Sequence, residues 1–295
     1  MDYGFRNGKQ LVELCRARDM AIGQIMALRE TEISDKTIEE VRFGMNEKLK
    51  IMKAAAAKGM NSEMKSVGGL IGGEAKKLDS WRQKNRSLSG SIVNKAVSRA
   101  LSVMEVNASM GRIVAAPTAG SCGIIPGVLL TAAETLESSE KELVDALFAA
   151  SAIGLIVTQN ATVSGAEGGC QAETGTAAAM ASAAAVQMAG GTPEMSLHAA
   201  AMAFKNVLGL ICDPIAGLVE SPCQKRNAIG VVNSMISADM ALAGIESIIP
   251  FDEVVEAMYR VGKALPIAFR ETAMGGLAAT PTGIEISKRL YSAEQ

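Results

Sequence analysis

Five cysteines punctuate a chain of 295 residues: Cys15, Cys122, Cys170, Cys212 and Cys223. Three of them adjoin turn-forming residues. Cys170 follows Gly168-Gly169, Cys212 precedes Asp213-Pro214, and Cys223 follows Pro222. A turn aims a side chain at a point in space, which a metal site needs and simple packing does not. The spacing is not that of a zinc knuckle or ribbon, nor that of a ferredoxin. The residues alone therefore leave two readings open, a shared metal site or three buried structural thiols. An odd cysteine count in a large chain argues against a disulfide framework and for reduced thiols.

Other groups could bind an anion or move a proton. Pro117-Thr118-Ala119-Gly120-Ser121 offers hydroxyls and backbone N–H groups in one tight turn, the form of a nest that grips a carboxylate. Thr118 and Ser121 could equally serve local turn hydrogen bonds. Ser87 and Ser89, ahead of Gly90 at a predicted helix start, form a second candidate set. His198 is the sole histidine, on a predicted helix, and suits a structural role better than a catalytic one. Lys225 and Arg226 follow Cys223, where they either offset negative charge or pair with carboxylates.

These groups need elements to hold them. The first 60 residues read as two helices, with Cys15 on the apolar face of the first beside Leu11, Leu14 and Ile22. Thr37 and Glu40 make a capping box for the second, and Gly59 is its expected stop. A looser stretch carrying Gly68-Gly69 and Gly72-Gly73 follows, up to Trp81. A helical pattern resumes over Ile92 to Val103. From Asn107 the sequence changes character: AAPTAGSCGIIPG and VSGAEGGCQAETG crowd glycine with small polar residues, and the segments between and after them are nearly uncharged. Ala177 to Ala189 has so few charges on any face that it must be buried all round. Val254, Val255, Met258, Val261 and Leu265 recur at helical spacing, and Pro266 ends that run.

The expected class is mainly α, with buried Ala/Gly-rich helices around a central site. Residues 1–85 are expected to form a peripheral helical part and 86–295 the catalytic core. Composition agrees: 48% hydrophobic residues but only 3% aromatic, so alanine and the aliphatics carry the core. A net charge of −2 with no basic run excludes a phosphate-binding surface, so no nucleic-acid partner is expected. The longest apolar candidate, Ala146 to Val157, is too short to span a bilayer and reads as a core helix. The opening MDYGFRNGKQ lacks a signal peptide's apolar stretch, so a cytoplasmic location is expected.

The runs GAEGGCQAETG and LGLICDPIAGLVESPCQKRNAIG resemble the iron–sulfur-dependent L-serine dehydratases of bacteria. APTAGSCGIIPG, EVNASMGR and GGLAATPTG belong to the same pattern, so the likeness covers essentially the whole chain. It is nearest to the alpha chains of the two-subunit enzymes. The resemblance implies that Cys170, Cys212 and Cys223 hold a 4Fe–4S cluster with one iron free of protein thiolate. Cys122 is then a neighbour of the site rather than a ligand, and Cys15 a core residue. Some single-chain members cap the open iron with a C-terminal cysteine. This chain ends ISKRLYSAEQ with no cysteine after Cys223, so such capping is not expected.

The implied reaction converts L-serine to pyruvate and ammonia. The open iron acts as a Lewis acid on the substrate hydroxyl, and a base takes the α-proton. Thr118, Gly120 and Ser121, with Ser87 and Ser89, are the implied carboxylate binders. The base has no clear candidate in the chain. A separate beta chain, with which this chain would form a hetero-oligomer, could supply it. Three alternatives are a cluster-dependent lyase for cysteine or another small amino acid, a non-catalytic scaffold subunit, and a pyridoxal-phosphate dehydratase. For the last, Gly72-Gly73 with Lys76 is the nearest approach to a cofactor loop and lysine.

Overall fold

The computed structural model describes residues 2–292, so the final three residues of the terminal run ISKRLYSAEQ lie outside the described part. Thirteen α-helices account for most of the described residues. They are α1 (Gly8–Arg18), α2 (Ile22–Ser34), α3 (Ile38–Asn61), α4 (Glu74–Lys84), α5 (Gly90–Ala108), α6 (Ile124–Thr135) and α7 (Glu140–Asn160). There follow the single-turn α8 (Gly165–Gly168), then α9 (Thr176–Met188), α10 (Pro193–Lys205), α11 (Cys223–Leu242), α12 (Phe251–Ala264) and α13 (Pro281–Ser292). Among the described residues there is no strand, only one parallel bridge between Cys212 and Arg270. The mainly α class expected from composition is the class observed.

α9 is the axis of the packing. Every residue from Thr176 to Val186 is buried, and α6, α7, α10 and α11 lie against it. Alanine makes this possible: it favours helix and has no side chain to hold neighbouring backbones apart. α7 extends well beyond the apolar run Ala146–Val157, starting at a capping box of Ser139 and Glu142. By length and composition it could cross a membrane, yet 67% of its most apolar stretch is buried inside the protein. It packs chiefly on α9 and α2.

The N-terminal region departs from the expected pair of helices. There are three, because Asp19 takes a left-handed conformation (φ 52°) and ends α1 three residues before α2 begins. Ile22 therefore opens α2 and does not share a helix with Cys15, although both are buried. The Thr37–Glu40 capping box is present. Gly59 is not the stop of α3, which continues to Asn61. Its missing side chain makes room instead, since a Cβ there would sit 2.8 Å from Ser102 Oγ and 2.9 Å from Glu105 Oε2. Trp81 is likewise inside a helix, α4, rather than at the end of a loose stretch.

Two buried polar clusters fasten the glycine-rich loop before α4 to the segment that leads into α11. Glu220 accepts hydrogen bonds from Ser66 Oγ (2.6 Å), Gly68 N (2.7 Å) and Leu70 N (3.0 Å). Beside it, Gln224 Nε2 reaches both Glu74 Oε2 (3.4 Å) and Glu105 Oε1 (3.3 Å). Glu105 is buried, and its Oε2 has no donor among the described residues. Burial, together with the carboxylate of Glu74, pushes Glu105 up to about 7. Glu74 is held at about 2: burial raises it, but the amides of Gly72 and Glu74 and the charge of Lys225 outweigh that.

Two outcomes follow for stability. Ala181, fully buried in α9, has no space for a larger side chain. Ala181→Leu should cost about 1–3 kcal/mol in urea unfolding, with the fold retained. Glu105 binds its proton more tightly in the folded chain, at about 7, than in the unfolded one, where it has the ordinary carboxyl value, so the native state carries more protons across that window. Its contribution to stability is therefore lost as pH rises through neutrality. Glu105→Gln, which mimics the protonated acid, should flatten the fall in Tm between about pH 5 and about pH 8.

Candidate functional site

Cys170, Cys212 and Cys223 are all free and buried. Cys170 leads into a π-type turn, Gln171–Gly175, a helical irregularity often found at functional sites. The turn is locked by Gln171, which is fully buried. Its Nε2 donates to Gly168 O (2.9 Å) and Met258 O (3.1 Å), and its Oε1 accepts from Gly209 N (2.9 Å). Its own amide donates to Leu210 O at 3.0 Å. One side chain thus ties the turn of Cys170 to the strand-like segment that delivers Cys212.

Cys212 is held by backbone on both sides: its N–H donates to Phe269 O (2.9 Å), and its carbonyl accepts from Glu271 N (2.8 Å). The next residue, Asp213, accepts from Arg226 Nη2 at 2.6 Å and from Leu277 N at 2.6 Å. Arg226 also donates to Ile211 O (2.8 Å), and its charge acts on the thiol of Cys170. Cys223 is the first residue of α11, and one turn later stands Asn227, fully buried. Its Nδ2 donates to Cys223 O (2.9 Å) and Gly120 O (2.8 Å), and its Oδ1 accepts from Gly123 N (3.0 Å). The turn Thr118–Ser121 is thereby clamped to the start of α11.

The three thiols feel one another. Burial pushes Cys212 far above the ordinary thiol range, and Cys170, Glu173, Glu271 and Cys223 push it further. Burial, then Cys170 and Glu173, raises Cys223 to about 12. Cys170 is raised by burial, against the pull of Thr174 and Arg226. Such thiols ionise only beside a strong cation. Among the described residues, no three His, Cys, Asp or Glu side chains stand close enough for a single metal ion. A cluster spreads its thiolates over separate irons, so it asks for thiols around a shared volume rather than one point. The donor set fits that requirement. So does Gly165, whose missing side chain keeps the volume open: a Cβ there would lie 3.0 Å from Cys212 Sγ and 2.9 Å from Glu173 Oε2.

Glu173 is the group the sequence reading missed. It sits inside the quoted GAEGGCQAETG run, but nothing local marks it. Its carboxyl lies between the thiols and the Thr118–Ser121 turn: the Thr118 hydroxyl bonds it, and a Cβ on Gly120 would come within 3.3 Å of Oε2. Burial raises it to about 7, and Glu271 adds to the rise against the Thr118 hydrogen bond. A carboxyl poised near neutrality in a buried site is suited to proton transfer.

The other candidates fall into place around this centre. Thr118 Oγ1 and Ser121 Oγ are 3.1 Å apart, so the turn partly serves itself, while the amides of Ala119 and Gly120 have no partner among the described residues. Ser87 and Ser89 lie on the loop before α5. Ser89 is exposed and accepts a hydrogen bond from Asn94 Nδ2 (2.8 Å) rather than capping the helix, and no hydrogen bond joins either serine to the thiols. The Cys122 thiol faces the sulfur of Met104 at 3.7 Å, and Cys15 lies in the N-terminal core. His198 Nδ1 accepts from Ser247 N (3.3 Å), a structural bond. Lys225 pairs with Glu74, whereas Arg226 meets both Asp213 and Cys170. Lys76 is half-exposed and pairs with Glu63, outside any enclosed cofactor site.

Comparison with known proteins shows the family of the chain. The model of the serine dehydratase alpha chain family matches residues 17–278. The chain is 51% identical over 287 residues to the probable L-serine dehydratase alpha chain of Bacillus subtilis, covering 97% of this chain and 95% of that one. It is 46% identical to the L-serine dehydratase alpha chain of Peptoniphilus asaccharolyticus, over 95% of this chain and 96% of that one. L-serine dehydratase 1 of Escherichia coli is 36% identical over 94% of this chain, which spans only 62% of that longer protein.

Asn227→Ala would strand the Gly123 amide and the Gly120 carbonyl. Leaving such buried groups unpaired should cost roughly 1–3 kcal/mol in chemical denaturation. A cost near zero would show that the clamp between the Thr118 turn and α11 does not form.

Proposed function

Because the chain belongs to the serine dehydratase alpha chain family, we propose that it carries the catalytic centre of an L-serine dehydratase, converting L-serine to pyruvate and ammonia. In this reading Cys170, Cys212 and Cys223 hold a 4Fe–4S cluster. When bound, that cluster supplies Lewis acidity towards the substrate hydroxyl. The observation that carries the proposal is the convergence of three buried thiols on a volume shared with Glu173 and bordered by the Thr118–Ser121 turn.

The chain's own residues divide the remaining work. The unpartnered amides of Ala119 and Gly120, with the hydroxyls of Thr118 and Ser121, receive the substrate carboxylate. Glu173 takes the α-proton onto its carboxylate, and that proton is then available to the departing hydroxyl, so that water leaves. The aminoacrylate so formed tautomerises to an imine, which water hydrolyses to pyruvate and ammonia. Arg226 sets a fixed positive charge beside Cys170 and favours its thiolate. Glu173 in this role makes a base from another subunit unnecessary. A separate beta chain remains part of the proposal, because the Escherichia coli relative extends well beyond the region matched here.

The test is anaerobic purification together with the partner chain, followed by iron, sulfide and pyruvate-formation assays. Serine substituted at Cys170, Cys212 or Cys223 should remove both iron and turnover, whereas Cys15→Ser should spare both. Normal iron in all three core variants would overturn the assignment. Glu173→Gln separates the roles: it should retain iron and lose about 10²–10⁴ in kcat. Retained turnover would remove Glu173 from the chemistry without touching the cluster.

A further inference from the structure

α11 packs one side against α5, α6, α9 and α10 and leaves the other in solvent. Along the free side stand Lys225, Ile229, Val232, Ile236, Asp239 and Ala243. Their steps alternate between four and three, the register of a coiled-coil seam. Ile229 is 63% exposed, Ile236 50% and Val232 37%. Single exposed apolar residues are ordinary on a protein surface. Three in register at the centre of one helix are not.

The row is close to palindromic in character. Val232 is its midpoint, an isoleucine lies on either side, and seven residues away in each direction stands a charge, Lys225 before and Asp239 after. The two charges are opposite in sign, so the row complements itself only when reversed. A parallel copy would set lysine against lysine. An antiparallel copy, turned about a two-fold axis at Val232, nests the isoleucines together and brings each Lys225 beside the partner's Asp239. Asp239 has no ion-pair partner among the described residues, and Lys225, 58% exposed, pairs with Glu74 at 3.3 Å and donates to Gln224 Oε1 at 2.6 Å, a network that the partner's Asp239 would join from the solvent side.

We propose that α11 is a homodimer face: two copies of this chain associate through antiparallel α11 helices crossing at Val232. The last turns of the partner helix then lie beside the first turn of α11, the turn that Cys223 begins. Three apolar residues per chain place the contact at the small end of specific interfaces, below about 1,200 Å² in total, so the dimer dissociates on dilution. The proposal rests on the surface of α11 and is independent of the chemistry assigned to the cysteines.

Sedimentation velocity on the full chain, across a dilution series, gives the first readout: a monomer–dimer equilibrium is expected. Asp239→Lys should raise the dimer dissociation constant by at least about tenfold through like-charge contact. The double variant Lys225→Glu/Asp239→Lys should restore association. Val232→Cys should give a disulfide-linked dimer under mild oxidation, because a residue on the axis meets its own copy and the five native cysteines are all buried. Ile33→Cys, more exposed than Val232 but on α2, should not cross-link. A chain that stays monomeric at every concentration overturns the proposal. So does a dimer indifferent to Asp239→Lys that fails to cross-link through position 232, and so does protection of the α11 row only when a different chain is added.

Discussion

The ion pair between Arg226 and Asp213 is the constraint on which the geometry of the centre depends. Asp213 is almost fully buried, and its carboxylate is satisfied by one guanidinium and by the amide of Leu277. The same guanidinium reaches the carbonyl of Ile211 and the thiol of Cys170. Three stretches of chain therefore meet at one planar cation, and Asp213 ties in a fourth through Leu277. Buried pairs of this kind add little net stability, because desolvation consumes most of the attraction. Their value is directional. A planar fork with fixed donors specifies where each stretch must lie, and here that places two of the three thiols.

Around this pair the polar interior works by long-range amide bonds. Gln171 joins the Cys170 turn to residues 209–210 and to α12, and Asn227 joins the Thr118 turn to α11. Each is fully buried with its amide fully engaged, as burial of polar groups demands. The alanine-rich helices contribute the complementary property. With small side chains on every face, α9 lets four neighbours close in.

Much of this was legible in the residues. Periodicity and capping signals located most helices, and the absence of charge in Ala177–Ala189 marked the buried axis. The turn residues beside Cys170, Cys212 and Cys223 marked their placement off helix interiors. Asp19 breaks a helix without glycine or proline. Gly59 continues one, because the deciding contacts come from Ser102 and Glu105, more than forty residues away. Glu173 was invisible for the same reason. Its environment is made by Thr118, Gly165 and Glu271, none of them its neighbour in sequence. Local pattern carries propensity, whereas a carboxyl's acidity is set by whatever folds against it.

The parallel bridge at Cys212 has a consequence for how the protein is made. Its backbone partners are Phe269 and Glu271, and the amide that completes Asp213 belongs to Leu277. A ribosome reads from the N-terminus, so all three thiols have been synthesised and have left the exit tunnel, or nearly so, before the strap that encloses Cys212 exists. During that interval Cys212 has no backbone partner on that side. The order of synthesis thus leaves Cys212 and Asp213 without their folded partners until residues 269–277 have emerged and docked.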